Sequence, residues 1–426
     1  MLRETAFDMA TSNIRFGSGV TRELGMDLSE LGVRRTMLVT DRRLRDLPPV
    51  LTALESLQKE RIDYEVFDRV SIEPTDASFQ DGIDFASAEP FDAFVAVGGG
   101  SSIDTAKAAN LYSTYPPDDF LDYVNAPIGN AQPVPGPLKP LIAVPTTAGT
   151  GSETTGVAIF DFQSQHAKTG ISHRRLKPNL GLIDPENTKT QPSQVAAATG
   201  LDVLSHAIES YTALPFHQRT KAERPIQRPA YQGSNPISDV WSLTALRMVS
   251  EFLPRAVEDT TDDEARGAMM LAASFAGIGF GNAGVHLPHG MSYPVSSQVR
   301  TYSIEGYSQD KPLVPHGISV ILNAPAVFRF TSTACPDRHL IAAQALGADV
   351  SDVSEEDAGE ILASKIIDLM KRLGIPNGLK GVGYSENDIP RLVEGTLPQH
   401  RLTKLSPRIA EAEDLKVLFH DALTYW

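Results

Sequence analysis

The chain has 426 residues, 41% of them apolar and 21% charged, with a formal charge of −15 at pH 7. That composition excludes collagen-like, disordered and disulfide-scaffold classes. The acidic balance argues against nucleic acid or an anionic membrane as partner, since both need a broad positive face. The one cysteine, Cys335, excludes an intramolecular disulfide and a cysteine-based metal cluster, and fits a reducing compartment.

The N-terminal MLRETAFDMATSNIRFG has no apolar run suited to a secretory signal and too few basic residues for a transit peptide, so a cytoplasmic location is expected. From residue 34 to about 185, RTMLVT (35–40), DYEVFD (63–68), DAFVAV (92–97), PLIAVPTT (140–147) and GVAIFDF (156–162) read as strands. Stretches near 47–59, 77–88 and 101–112 have helical spacing between them. This alternation predicts an α/β domain with a mostly parallel, doubly wound sheet over residues 1–190. Beyond Pro192, Ala-, Leu- and Met-rich segments at 237–258, 264–280 and 337–347 predict an all-α domain over 191–426. The run LAASFAGIGFGNAGVHL (271–287) is broken by glycines, Asn and His. It falls short of the roughly 18–20 apolar residues of a bilayer span and reads as a buried helix.

Two segments read as loops. Residues 126–139 are rich in Pro and Gly. Residues 214–236 hold four prolines and the cations Arg219, Lys221, Arg224 and Arg228 against the single acid Glu223. That loop is either solvated or a lid that recognises carboxylates.

Gly98-Gly99-Gly100-Ser101-Ser102 lies between an apolar strand and a helix. Bare backbone there and the free N–H groups of the new helix suit a pyrophosphate. The loop Pro145-Thr146-Thr147-Ala148-Gly149-Thr150-Gly151-Ser152-Glu153 follows another strand and offers hydroxyls at the same end of the sheet. Asp41, just past the first of these strands, is either a ribose-binding acid that favours NAD over NADP or a helix N-cap.

Asp202 and His206 are four apart on a helical segment, which puts carboxylate and imidazole on one face. With His286, His289 and His316 further on, one oxygen and three nitrogens become available to Fe²⁺, Zn²⁺, Mn²⁺ or Co²⁺. His289 can replace His286 as ligand, relay a proton, or support a ligand from behind.

GGGSSIDTAK (98–107), PTTAGTGSE (145–153), Asp202-x3-His206, His286 and His316 together resemble the iron-containing, or group III, alcohol dehydrogenases across essentially the whole chain. FDMATSNIRFG, FLDYVNAPIG, RPAYQGSNPISD, FAGIGFGNAGVH, SYPVS and LVPHGISV are similar to the hydroxyacid–oxoacid transhydrogenase branch of that family. The resemblance implies a dehydroquinate synthase-like architecture: an α/β dinucleotide-binding domain, an all-α domain, the site in the cleft between them, and a dimer. It implies Asp202, His206, His286 and His316 as metal ligands, with Fe²⁺ favoured and Zn²⁺ the alternative, and leaves His289 as the catalytic proton relay. Gly98, Gly99, Ser101 and Asp104 would line the pyrophosphate, Thr146 and Thr147 the second cofactor loop, Asp41 the ribose, and Lys168 would follow the hairpin strand.

The activity so implied oxidises 4-hydroxybutyrate to succinic semialdehyde and reduces 2-oxoglutarate to 2-hydroxyglutarate on one bound NAD. A plain NAD-dependent alcohol or 4-hydroxybutyrate dehydrogenase would use the same residues. A lyase of the dehydroquinate synthase type would need a denser basic pocket, and a non-catalytic metal- or nucleotide-binding protein would need no working centre. Both substrates are small acids, and Arg228 is the first candidate to hold their carboxylate. Lack of an N-terminal extension points to a bacterial-type cytoplasmic enzyme.

Overall fold

Among the described residues, short runs between turn residues form eight strands: β1 Asn13–Phe16, β2 Arg35–Val39, β3 Asp63–Phe67, β4 Ala93–Gly98, β5 Leu141–Pro145, β6 Val157–Phe162, β7 Ala167–Ser172 and β8 Leu180–Ile183. They belong to a computed structural model that describes residues 2–165, 167–307 and 312–426. Six strands pair in parallel in the order β1-β8-β5-β4-β2-β3. Helices α1 Leu24–Glu30, α2 Pro48–Lys59, α3 Asp76–Ala88 and α4 Gly100–Thr114 alternate with the strands. Pro48 opens α2 where its missing N–H costs nothing, and Thr75 and Ser78 cap α3 reciprocally. Strand β4 is buried along its whole length, as a central parallel strand with covered faces must be. On one face Val95 and Val97 pack with Leu24, Val50 and Leu57; on the other Phe94 and Ala96 pack with Phe67, Phe91 and Ile103.

Four strands depart from expectation. β6 leaves the parallel sheet and pairs antiparallel with β7, with Phe160 buried 5.2 Å from the ring of Phe79. β1 and β8, of four residues each, are too short for alternation to reveal them.

The unit Ala10–Gln191 is followed by a second unit, Pro192–Trp426, which also contains Met1–Met9. The expected division at 190/191 therefore places the first residues differently from the structure. Glu4 N–H donates to Arg219 O at 2.8 Å, and Lys221 N–H to Leu2 O at 3.0 Å, so the start of the chain runs along the 214–236 loop.

The second unit is helical: α5 Ser193–Thr212, α6 Pro236–Glu258, α7 Asp263–Ala283, α8 Leu287–Ser297, α9 His316–Ile321, α10 Ala324–Thr331, α11 Pro336–Ala345, α12 Ala358–Arg372, α13 Ile389–Thr396, α14 His400–Thr403 and α15 Ala412–Asp421. Asn235 caps α6 by accepting from the N–H groups of Ile237 and Ser238. α5 is buried on all sides from Gly200 to Thr212, the signature of a central helix. The 271–287 run is buried but is not one helix, because α7 ends at Ala283 and the chain bends 105° into α8. Among the described residues no single helix is long and apolar enough to cross a membrane.

Candidate metal centre

Asp202, His206 and Glu209 occupy positions i, i+4 and i+7 of α5, so one face of the central helix carries two carboxylates and an imidazole. The bend after α7 brings the start of α8 to that face. His316 arrives at the first turn of α9. Its neighbour Gly317 makes this approach possible, since a Cβ there would lie 1.9 Å from Ala198 O and 3.0 Å from Asp202 Cβ.

Asp202 Oδ1 lies 3.6 Å from His206 Nε2, 3.5 Å from His289 Nε2 and 3.7 Å from His316 Nε2. The donor atoms of these four residues all fall within 4.8 Å of one another. Asp202 Oδ1 and His289 Nε2 are buried and have no hydrogen-bond partner, which is costly unless something else satisfies them. Three of the four side chains are about 5% exposed or less, whereas His316 is 26% exposed, so the group opens to solvent on its His316 side.

The electrostatics follow from burial and crowding. Burial presses the Asp202 carboxyl upward, but the imidazoles of His206, His316 and His289 outweigh it and hold the group well below the ordinary carboxylate range. Burial pushes His206 down to about 3, which keeps its lone pair available. Burial also presses His289 downward, yet Glu209 and Asp202 raise it to about 9. Glu209 Oε1 meets His289 Nδ1 at 2.6 Å, and Oε2 accepts from His286 N–H at 2.7 Å. A carboxylate on Nδ1 orients the ring and leaves the Nε2 lone pair facing the group around Asp202.

Of the two histidines in GVHLPHG, the structure brings His289 rather than His286 into the group, the alternative that the sequence left open. His286, expected as a ligand, is outside the group: its Nε2 meets Thr212 Oγ1 at 3.0 Å. It is the N-cap of α8, with a non-helical backbone (φ −137°, ψ −124°), so its side chain does not follow the i, i+3 alignment that a helix would give it with His289. His289, expected as a proton relay, is inside. Glu209 was missed by reading the sequence, although its i+7 spacing from Asp202 signalled the shared face.

Arg228, the expected carboxylate binder, is engaged by Glu4 at 3.1 Å and Asp8 at 3.7 Å. Its charge is neutralised within the unit, and this corrects the lid expectation for that residue.

In the N-terminal unit the chain reverses direction across the sheet between β2 and β4, and the two loops leaving these strands carry Asp41 and Gly98–Gly100. Such a switch point is where open α/β sheets bind ligands. Gly99 caps α4 without a side-chain bond, so the first N–H groups of the helix, including that of Ser101, are offered outward. A Cβ on Gly100 would lie 2.6 Å from Thr150 Cγ2, so glycine lets this turn meet the second loop. Thr146 N–H donates to Gly98 O at 3.1 Å, and Thr147 Oγ1 lies beside Gly99.

Asp104 is occupied by the protein itself. Its Oδ1 accepts from Ser152 Oγ at 2.5 Å and its Oδ2 from Ile159 N–H at 2.9 Å. The fully buried Lys107 ammonium donates to Ser152 Oγ at 2.5 Å and Val157 O at 2.8 Å, tying α4 to the same loop. Lys168 is paired with Glu73 and Asp161. Asp41 Oδ1 accepts from the N–H groups of Arg43 and Leu44, the capping-type turn weighed as its alternative role. Burial pushes the Cys335 thiol up to about 11.

A parallel sheet with a phosphate-type turn at its switch point, in a chain whose helical unit gathers one carboxylate and three imidazoles, has the parts of a nucleotide- and metal-using oxidoreductase. The family model "Iron-containing alcohol dehydrogenase" matches residues 11–185, and "Fe-containing alcohol dehydrogenase family, C-terminal" matches residues 230–423. The chain belongs to the iron-containing alcohol dehydrogenase family. A mitochondrial hydroxyacid-oxoacid transhydrogenase of Bos taurus is 58% identical, covering 98% of this chain and 90% of that protein. Among solved structures, a 1,3-propanediol oxidoreductase superposes with a TM-score of 0.85 at 28% identity, covering 98% of this chain and 100% of that one. Sulfoacetaldehyde reductase from Bifidobacterium kashiwanohense, in complex with NAD+, superposes with a TM-score of 0.79 at 27% identity over 98% and 99% of the two chains. The mitochondrial designation of the transhydrogenases overturns the cytoplasmic expectation, which rested on the composition of the N-terminus.

Proposed function

We propose that the chain is a metal- and NAD-dependent hydroxyacid–oxoacid transhydrogenase that moves hydride from 4-hydroxybutyrate to 2-oxoglutarate. The products would be succinic semialdehyde and 2-hydroxyglutarate. The carrying observation is the convergence of Asp202, His206, His289 and His316, with Asp202 Oδ1 and His289 Nε2 buried and without a hydrogen-bond partner. Four donors about 2.1 Å from one ion in a tetrahedron stand about 3.4 Å apart, and Asp202 Oδ1 lies 3.5–3.7 Å from each imidazole. The residues therefore fit a divalent cation. Their mixed oxygen and nitrogen character suits Fe²⁺ or Zn²⁺ alike, and the family favours Fe²⁺. The bovine relative's name and the NAD+ in the reductase complex support the substrate class and the nucleotide.

In this reading the four side chains hold the ion, which when bound supplies Lewis acidity toward an alcohol or carbonyl oxygen. Glu209 keeps His289 in the tautomer that presents Nε2. The Gly98–Gly100 turn and the first N–H groups of α4 take the pyrophosphate. A bound nicotinamide would supply the hydride transfer between hydroxyacid and oxoacid. Asp41 Oδ2 is available to the ribose hydroxyls and disfavours a 2′-phosphate. Lys107 and Asp104 act at one remove, by fixing Ser152 and its loop against α4.

The test is turnover of 4-hydroxybutyrate plus 2-oxoglutarate by the purified, dialysed enzyme with no nucleotide added. Equal amounts of succinic semialdehyde and 2-hydroxyglutarate are expected. Product that forms only in proportion to added NAD would identify a plain dehydrogenase instead.

A further inference from the structure

Arg401, on α14, has a buried Nη1 that makes no hydrogen bond, and no carboxylate forms an ion pair with it among the described residues. Other arginines of this unit are matched: Arg228 with Glu4, Arg300 with Asp388, Arg338 with Asp239. The neighbours of Arg401 are phenols. Its guanidinium carbon lies 5.0 Å from the ring centroid of Tyr231, and it is hydrogen-bonded to Tyr231 and Tyr293. A buried guanidinium with only neutral partners is incompletely satisfied, and a bound anion would complete it.

Both phenols adjoin the metal group. Tyr293 follows His289 by four residues on α8, one helical turn along the same face. The Tyr231 ring meets Phe280 edge-on with centroids 6.4 Å apart, and Phe280 stacks on His206 at 3.9 Å. Gly290, directly after His289, lets α14 lie close, since a Cβ there would come within 3.0 Å of Thr403 Cγ2. Arg401 is thus tied to two members of the metal group by two separate routes, through Tyr293 to His289 and through Tyr231 and Phe280 to His206.

We propose that Arg401, flanked by Tyr231 and Tyr293, is the receptor for the carboxylate of the acid substrate and so the residue that selects acids over neutral alcohols. The inference rests on the hydroxyacid–oxoacid reading above. A planar guanidinium with a spare nitrogen matches a carboxylate in two-point fashion, and the phenol hydroxyls can donate to the same oxygens. A neutral alcohol would leave Nη1 buried and unpaired, which is the strongest form of discrimination a polar site has. This assigns to Arg401 the role that Arg228 cannot fill.

The test compares kcat/KM for 4-hydroxybutyrate with that for 1,4-butanediol, which has the same carbon chain without the carboxylate. Arg401→Gln is expected to lower the acid-to-diol ratio by about 30-fold or more, chiefly through KM for the acid. Arg401→Lys should recover part of the ratio, and added guanidinium ion should restore acid turnover in Arg401→Ala, which a purely structural role would not allow. Tyr293→Phe supplies a milder variant that keeps the charge and should lower the same ratio less. An equal loss on acid and diol, with no rescue, overturns the role of Arg401 while leaving the transhydrogenase reading in place. A wild-type enzyme that oxidises the diol but no hydroxyacid overturns both.

Discussion

Glu209 Oε1 and His289 Nδ1 meet at 2.6 Å in a fully buried pair, and this contact determines which histidine of GVHLPHG faces Asp202. Glu209→Gln keeps the size but removes the charge that orients the ring. Metal affinity is expected to fall roughly 10- to 100-fold, read by competition with a chelator, while the far-ultraviolet circular dichroism stays native. Unchanged affinity would show that the carboxylate is dispensable for the centre.

His286→Ala and His289→Ala separate the two histidines. Loss of His289 should empty the centre of metal in the purified protein. Loss of His286 should leave metal content intact and lower stability by about 1–3 kcal/mol, because a buried hydrogen bond to Thr212 Oγ1 is lost, although that hydroxyl keeps its bond to Ile208 O. Metal analysis and thermal melts read both, and the reverse pattern would restore the ligand set expected from the sequence.

Lys107 has its ammonium fully buried, and burial pulls its proton affinity down while Asp104 pulls it up. Lys107→Met removes the bonds to Ser152 and Val157 and should cost about 1–3 kcal/mol of stability. NAD affinity should fall with it, because the loop carrying Thr146 and Thr147 loses its tie to α4. Isothermal titration with NAD checks the second effect; undiminished affinity would separate that loop from cofactor binding.

The Glu4–Arg228 pair predicts a pH dependence. The Arg228 guanidinium holds the Glu4 carboxyl at about 2, below its ordinary value of 4.5. A depressed carboxyl stabilises the folded chain above its unfolded value, so the contribution is full above pH 4.5 and fades as pH falls toward about 2. In thermal melts, the Tm advantage of the wild type over Glu4→Gln should narrow steadily over that window. An advantage that is flat with pH would mean that the pair does not link the start of the chain to the 214–236 loop.

Much of this architecture was legible because long, periodic segments carry their own signal. The strands at 35–39 and 93–98 and the helices at 48–59 and 100–114 follow from apolar runs bounded by glycine or proline. Four-residue strands such as β1 carry no such period, and β7, AKTGIS, has a lysine and a glycine in place of a continuous apolar run although its partner β6 is adjacent in sequence. At the site, Asp202 and His206 were readable from their i, i+4 spacing, whereas the choice between His286 and His289 turns on where α8 begins after Gly284. Arg228 looked free because Glu4, its partner, lies 224 residues earlier in the chain. Arg401 carried no local motif at all. Its distinction is that no carboxylate among the described residues pairs with it, which only the packing of α14 on α8 reveals.

The most direct measurement is an anomalous-diffraction map from crystals of the Fe²⁺-loaded protein. The predicted result is a single strong peak about 2.0–2.3 Å from Asp202 Oδ1 and from Nε2 of His206, His289 and His316. A peak with His286 in the coordination shell, or one away from Asp202 altogether, would contradict the account.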